Sequence, residues 1–242
     1  MSTRDRLTVA FAACGVAGAI LFVLTVVIAG LAEPHFSFVD NATSDLGALT
    51  AQHALPYNVA LSASGVLTIG LALALFLFLT RGAGTVGGAV LVGVFGAGQF
   101  VDGLAREDCS VSVSHACRAA ADAGQLSTHH QVHDAESLVT FSALLLAPLV
   151  LGLAYRSIPS LRMLVKWSIF SSAAQAVWLA AFFWLYLGKR SGVGVPEILD
   201  FVAGVAWIVA MALVILLRRG RLHGPDDVGA VHGDDVAVGV DR

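Results

Sequence analysis

The sequence predicts an all-α polytopic transmembrane bundle of six helices with both ends on the cytoplasmic side. Three observations lead there. Hydrophobic residues make up 57% of the 242-residue chain and charged residues only 13%, against about 25% charged in a soluble domain. The mean hydropathy is +0.81. Apolar runs of membrane-spanning length recur six times, each near the roughly 20 residues that a spanning helix needs.

The first run, 7–31, follows Arg4 and Arg6 and is free of charge from Leu7 to Leu31. It exceeds the roughly 7–15 residues of a signal-peptide core, so it is expected to stay as a helix behind a cytoplasmic stub, 1–6. The second run, 57–80, ends in LALALFLFLT. The third, 83–104, is rich in glycine: Gly84, Gly88, Gly93, Gly96 and Gly98. Small residues at such spacing let helix backbones approach closely, within the chain or across a homodimer. The remaining runs are 135–155, 164–187 and 198–217. Gln175, in the fifth, is expected to bond a neighbouring helix. All six are apolar all round, without the alternation of barrel strands. The tail, 218–242, mixes Gly, Asp, His and Val without helical period and is expected to be a disordered cytoplasmic segment.

Orientation follows from the short-loop cations. With the N-terminus inside, the inner side holds ten Lys and Arg residues, and the outer side holds Arg106, Arg118, Lys189 and Arg190. Segments 81–83 and 156–163 become tight inner turns, whereas 32–56 and 105–134 become long outer loops. The expected location is therefore the cell membrane, with lipids as surroundings. The net charge of -3 and the lack of a basic run give no surface for nucleic acid.

The same orientation polarises the chemistry. Eleven of seventeen acidic residues and six of eight histidines fall at the outer mouth. The densest segment is His129-His130-Gln131-Val132-His133-Asp134-Ala135-Glu136. His129 and His133 are four apart and would share a helix face, a spacing that suits two imidazole ligands on a divalent metal such as zinc. Asp102, at the rim of the third helix, would add a carboxylate or pair with Arg106. Asp108 and Asp45 are further candidates. The expected metal set is His129, His133 and Asp102. The expected catalytic set is Asp102, Asp108 and His133, with Ser44 and Asp45 binding ligand. Cys109 and Cys117 lie outside, where a disulfide can persist. No Walker A loop, Gly-x-Ser-x-Gly elbow or dinucleotide fingerprint occurs, and no convincing internal repeat supports an inverted-repeat transporter.

Three functions fit this polar mouth. It can serve a metal-dependent, lipid-directed hydrolase, or bind, sense or transport a small ligand or lipid. It can also be the wet rim of a structural membrane protein.

Several short motifs point to one family. Ser44-Asp45-Leu46-Gly47, Pro56-Tyr57-Asn58 and Gly65 resemble the opening of a prokaryotic membrane-protein family known as domain of unknown function 998. Gly103-Leu104-Ala105-Arg106-Glu107-Asp108 is similar to its polar segment after the third helix, where Phe-Pro often stands in place of Leu-Ala. His133, Gly192 to Glu197 and Trp207 resemble its later positions. The resemblance covers roughly 10–218 and implies a six-helix membrane protein without an assigned activity.

Overall fold

The structure is a computed structural model that describes residues 2–79, 82–157 and 159–218. Among these residues there are seven α-helices and no strand. They are α1 (Thr3–Ala32), α2 (Ala54–Phe78), α3 (Ala83–Asp102), α4 (His115–Asp122), α5 (Thr128–Tyr155), α6 (Met163–Leu187) and α7 (Gly194–Arg218). Six of them, all but α4, are long and apolar enough to cross a membrane. The expected tail lies outside the described residues from 219 onward.

At α1 and α5 polar caps, rather than the ends of the apolar runs, set where the helix starts. Ser2 accepts a hydrogen bond from the Asp5 N–H, and the Asp5 carboxylate accepts one from the Ser2 N–H. This reciprocal box starts α1 at Thr3 and satisfies donors that the first turn leaves open. Ser127 likewise accepts from the His130 N–H at 3.3 Å and starts α5 at Thr128. The histidine-rich segment is therefore the first turns of α5. At the other end of α3 the helix stops at Asp102, which matters for the site below.

The six long helices close into a ring, each against its neighbour: α1, α2, α3, α5, α6, α7 and back to α1. Glycine permits the tightest approaches. A Cβ on Gly96 would lie 2.8 Å from the Gly65 carbonyl oxygen, and one on Gly84 would lie 2.9 Å from Ala154 Cβ. The α3 glycines thus face α2 and α5 within the chain. Serine hydroxyls tie other seams: Ser171 donates to the Ala203 carbonyl at 3.0 Å, Ser172 to that of Leu145 at 2.7 Å, and Trp207 Nε1 donates to Ser168 at 2.9 Å. Gln175 instead bonds back to Ser171 of its own helix, one turn away.

The ring has two unlike halves. Toward the C-terminal ends of α2 and α5 it is filled by Leu71, Leu75, Leu144, Leu151, Trp207, Met211 and Ile215, all nearly inaccessible. Toward the long loops the interior is polar. Two loops fold over that end. The first contains a 3₁₀ turn at Thr43–Gly47. The second contains α4 and is closed by a disulfide between Cys109 and Cys117.

Candidate functional site

The polar half encloses a pocket of about 190 Å³. Its walls come from the inner faces of all six long helices, α1 contributing Phe22, and from both loops. His133 is central. It is 5% exposed, and each ring nitrogen meets a carboxylate. Nε2 lies 2.9 Å from Glu107 Oε1, and Nδ1 lies 2.8 Å from Asp102 Oδ1. The second contact is close but off the direction of a ring N–H, so Nδ1 has no hydrogen-bond partner despite its burial.

Glu136 follows His133 by three residues and shares its helix face. Ligand atoms of Asp102, His133 and Glu136 all lie within 4.8 Å of one another. The Glu136 carboxylate is steadied by Thr140, which donates to Oε2 at 2.9 Å, and by Ser137, which donates to Oε1 at 3.2 Å. Asp102 can reach this point because α3 ends there. For the same reason it does not pair with Arg106, which lies beyond the helix and off its face.

The loops supply the opposite wall. The Thr43 N–H donates to Glu197 Oε2 at 2.7 Å, and its hydroxyl donates to Oε1 at 3.1 Å. Tyr57 lines the pocket with Thr43 and Glu197. Asp45 accepts from Asn41 Nδ2 at 2.8 Å and from the Ser112 hydroxyl, which ties one loop to the other. Burial, reinforced by the nearby Glu107 charge, pushes the Asp45 carboxyl up to about 6. Burial also works to raise Glu107, but the His133 hydrogen bond and charge outweigh it, aided by Ser44. Glu107 is held below the ordinary carboxylate value.

The geometry redistributes the roles expected of the sequence. Asp102 and His133 come together. His129 does not join them: it is exposed, because His130 and His133 take the inward face of α5. His130 Nδ1 accepts the Asp108 N–H at 3.0 Å. Asp108 lies outside the pocket. Its carboxylate accepts the Ser127 N–H and hydroxyl, both at 2.6 Å, and these bonds hold its pKa below the ordinary value. It therefore anchors the start of α5. Ser44 and Asp45 line the pocket. Glu107, Glu136, Glu197 and Tyr57 stand within the quoted motifs but carried no expected role. Only Glu136 carried a local signal, the His-x-x-Glu spacing from His133.

Six carboxylates line the pocket: Asp45, Asp102, Glu107, Asp134, Glu136 and Glu197. His133 is the only basic side chain among them, and no Lys or Arg takes part. Aromatic rings, including Tyr57, Phe95, Phe141 and Phe182, complete the lining. Such a chamber favours cations.

Comparison with curated proteins and with solved structures found no match. A match to the family described as Protein of unknown function (DUF998) runs over residues 16–214, taking in every pocket residue named above. The chain is a membrane-spanning helical protein and belongs to that family.

Proposed function

We propose that the pocket is the divalent-metal centre of a hydrolase embedded in the cell membrane, open to the extracytoplasmic side and directed at lipid. Asp102, His133 and Glu136 hold the ion, and zinc is among the candidates by its affinity for such nitrogen and oxygen donors.

The observation that carries this reading is the convergence of buried His133 with the Asp102 and Glu136 carboxylates, whose ligand atoms all lie within 4.8 Å of one another. Nε2 faces Glu107 and Nδ1 faces Asp102, so a divalent ion that replaced the Nδ1 proton would lie between the ring and the Asp102 carboxylate with the Nε2–H still on Glu107. A carboxylate that accepts the other ring N–H is the usual support of a metal-bound histidine. A divalent ion here would lower the pKa of a bound water and polarise an ester or amide carbonyl. Glu107 orients the imidazole, and the remaining acids keep anions out.

The transport alternative needs a polar path through the bundle. The interior toward the C-terminal ends of α2 and α5 is closed by Phe95, Leu144 and Trp207, which favours a site reached from one end.

The test is metal content. Purified protein equilibrated with Zn²⁺ or Mn²⁺ and freed of excess should retain about one ion per chain, the stoichiometry of a single three-ligand site. Asp102→Asn and Glu136→Gln should lose it while remaining folded. Equal metal content in wild type and both variants would sink the proposal. So would no retention by wild type, which would leave His133 as an imidazolium between two carboxylates.

A further inference from the structure

The pocket adjoins two other cavities of opposite character. On one side an apolar groove of about 350 Å³ runs between α1 and α7. Phe22, Thr43 and Phe201 line both chambers, and the Phe22 and Phe201 rings meet edge to face at 5.0 Å. Val23, Val27 and Val202, further along the groove, are each more than two-fifths exposed on the surface that faces lipid. On the other side, Val111, Ser112, Asp134 and Tyr186 are shared with a vestibule of about 260 Å³. Arg118, Lys189 and Arg190 line that vestibule, so it is the water side.

Depth agrees with this arrangement. The groove follows α7 from Ile198 to Ala206, about 12 Å at 1.5 Å per residue. One leaflet of the hydrocarbon core is about 15 Å deep. The groove therefore runs through most of the leaflet next to the long loops and ends at the pocket's Thr43–Glu197 wall. It is wide enough for a chain and has almost no polar lining. The chamber at its end has six carboxylates and no Lys or Arg, together with aromatic faces that attract ammonium groups.

We infer that the α1–α7 groove holds one hydrocarbon chain of a membrane lipid whose amino-bearing head occupies the acidic pocket. The two cavities adjoin across Phe22, Thr43 and Phe201, the side chains a lipid would pass between, and charge complementarity selects the head. An anionic head such as a phosphate would meet carboxylates on every wall. The amino group approaches Glu197, which is bonded to the groove-lining Thr43, while Asp102, His133 and Glu136 lie on the α3 and α5 wall. This assignment names the substrate class of the metal site proposed above and rests on that pocket being a functional one.

The experiment uses the full chain in phosphatidylcholine nanodiscs. The probes are hexadecylamine and hexadecanoic acid, each with a photoactivatable diazirine at mid-chain. The amine should label peptides containing residues 22–27 and 198–206 at least tenfold more than the acid does. Unlabelled hexadecylamine should compete. Ala206→Trp and Val202→Trp, both at exposed positions, should abolish that labelling by filling the groove, yet keep Mn²⁺ retention. Labelling spread evenly over all lipid-facing helices, or equal labelling by the acid, would overturn the inference. Groove-specific amine labelling without Mn²⁺ retention would support it and refute the metal centre alone.

Discussion

His133 and Glu107 meet at 2.9 Å, Nε2 to Oε1, inside a pocket where both are more than nine-tenths buried. They come from different elements, an α5 turn and the loop after α3. The contact holds the imidazole so that its other nitrogen, Nδ1, faces Asp102 at 2.8 Å.

Glu107→Gln tests that relationship. The amide can still accept the Nε2 hydrogen bond, but it no longer makes the ring more basic. Loss of such a supporting carboxylate typically costs 10–100-fold in metal affinity. The expected result is a drop of that size in Zn²⁺ competition against a chromophoric chelator, with an unchanged helical spectrum. Unaltered affinity would remove Glu107 from the positioning role.

Asp108 is expected to matter for stability and not for the chemistry. Its two short bonds to Ser127 hold the start of α5, and hydrogen bonds to a charged group contribute about 1.5–3 kcal/mol before solvent screening. Exposure discounts this to on the order of 1 kcal/mol for Asp108→Asn. The folded pKa lies below the ordinary 3.8, so the contribution is present above 3.8 and lost as pH falls through the folded value. Nearby His129 and His130 lower it further. Thermal unfolding in detergent should show wild type above the variant at pH 6, with the gap closing below pH 3.8, and metal retention unchanged.

Asp45 has the opposite sign. Its folded pKa is raised to about 6 by burial and by Glu107, and Glu197 is also close enough to interact. The neutral form is the stabilised one. Its contribution is full below 3.8 and is lost as pH rises through 6. Asp45→Asn keeps acceptors for Asn41 and Ser112 without the charge. The variant should be at least as stable as wild type at pH 7.5. Wild type should gain on it as pH falls from 7.5 to 5. A difference that does not change over this range would mean that Asp45 is ionised without penalty.

The sequence carried the bundle because a spanning helix announces itself by length and composition over 20 residues, and six such runs stand apart here. It carried Asp102 and His133 because a charge at the rim of an apolar run is rare. It did not carry their partners. Glu107 lies five residues beyond Asp102 in an irregular loop, and only the fold of that loop turns it toward His133 while turning Asp108 toward Ser127. The two acids are neighbours with opposite fates, and no periodicity separates them. His129 misled because the His-x-x-x-His spacing fixes a shared helix face in general, whereas the Ser127 cap set the rotation of α5 so that His130 and His133 face inward. Glu197 stands in the first turn of α7, three residues before a second buried acid, Asp200, and only the Thr43 turn, over 150 residues earlier in the chain, gives it a partner.

Gly98 connects the packing of the bundle to the site, through one side chain. A Cβ there would stand 2.8 Å from Thr140 Cβ, and Thr140 is the residue whose hydroxyl holds Glu136 Oε2. Gly98→Ala must therefore push α3 from α5 or rotate Thr140, and either motion misaligns Glu136 from Asp102 and His133. Overpacking of this kind costs about 1–3 kcal/mol of stability. That loss alone would not distinguish a packing effect from a site effect. Thr140→Val separates them, because it removes the hydroxyl and keeps the shape. If the hydrogen bond to Glu136 is what matters, both variants should lose metal affinity several-fold, although only Gly98→Ala adds a clash. If Thr140→Val binds metal as wild type does, Glu136 is either held by Ser137 alone or is not a ligand. Combining Thr140→Val with Glu136→Gln then decides, since a ligand's removal still abolishes retention in the combined variant and a bystander's does not.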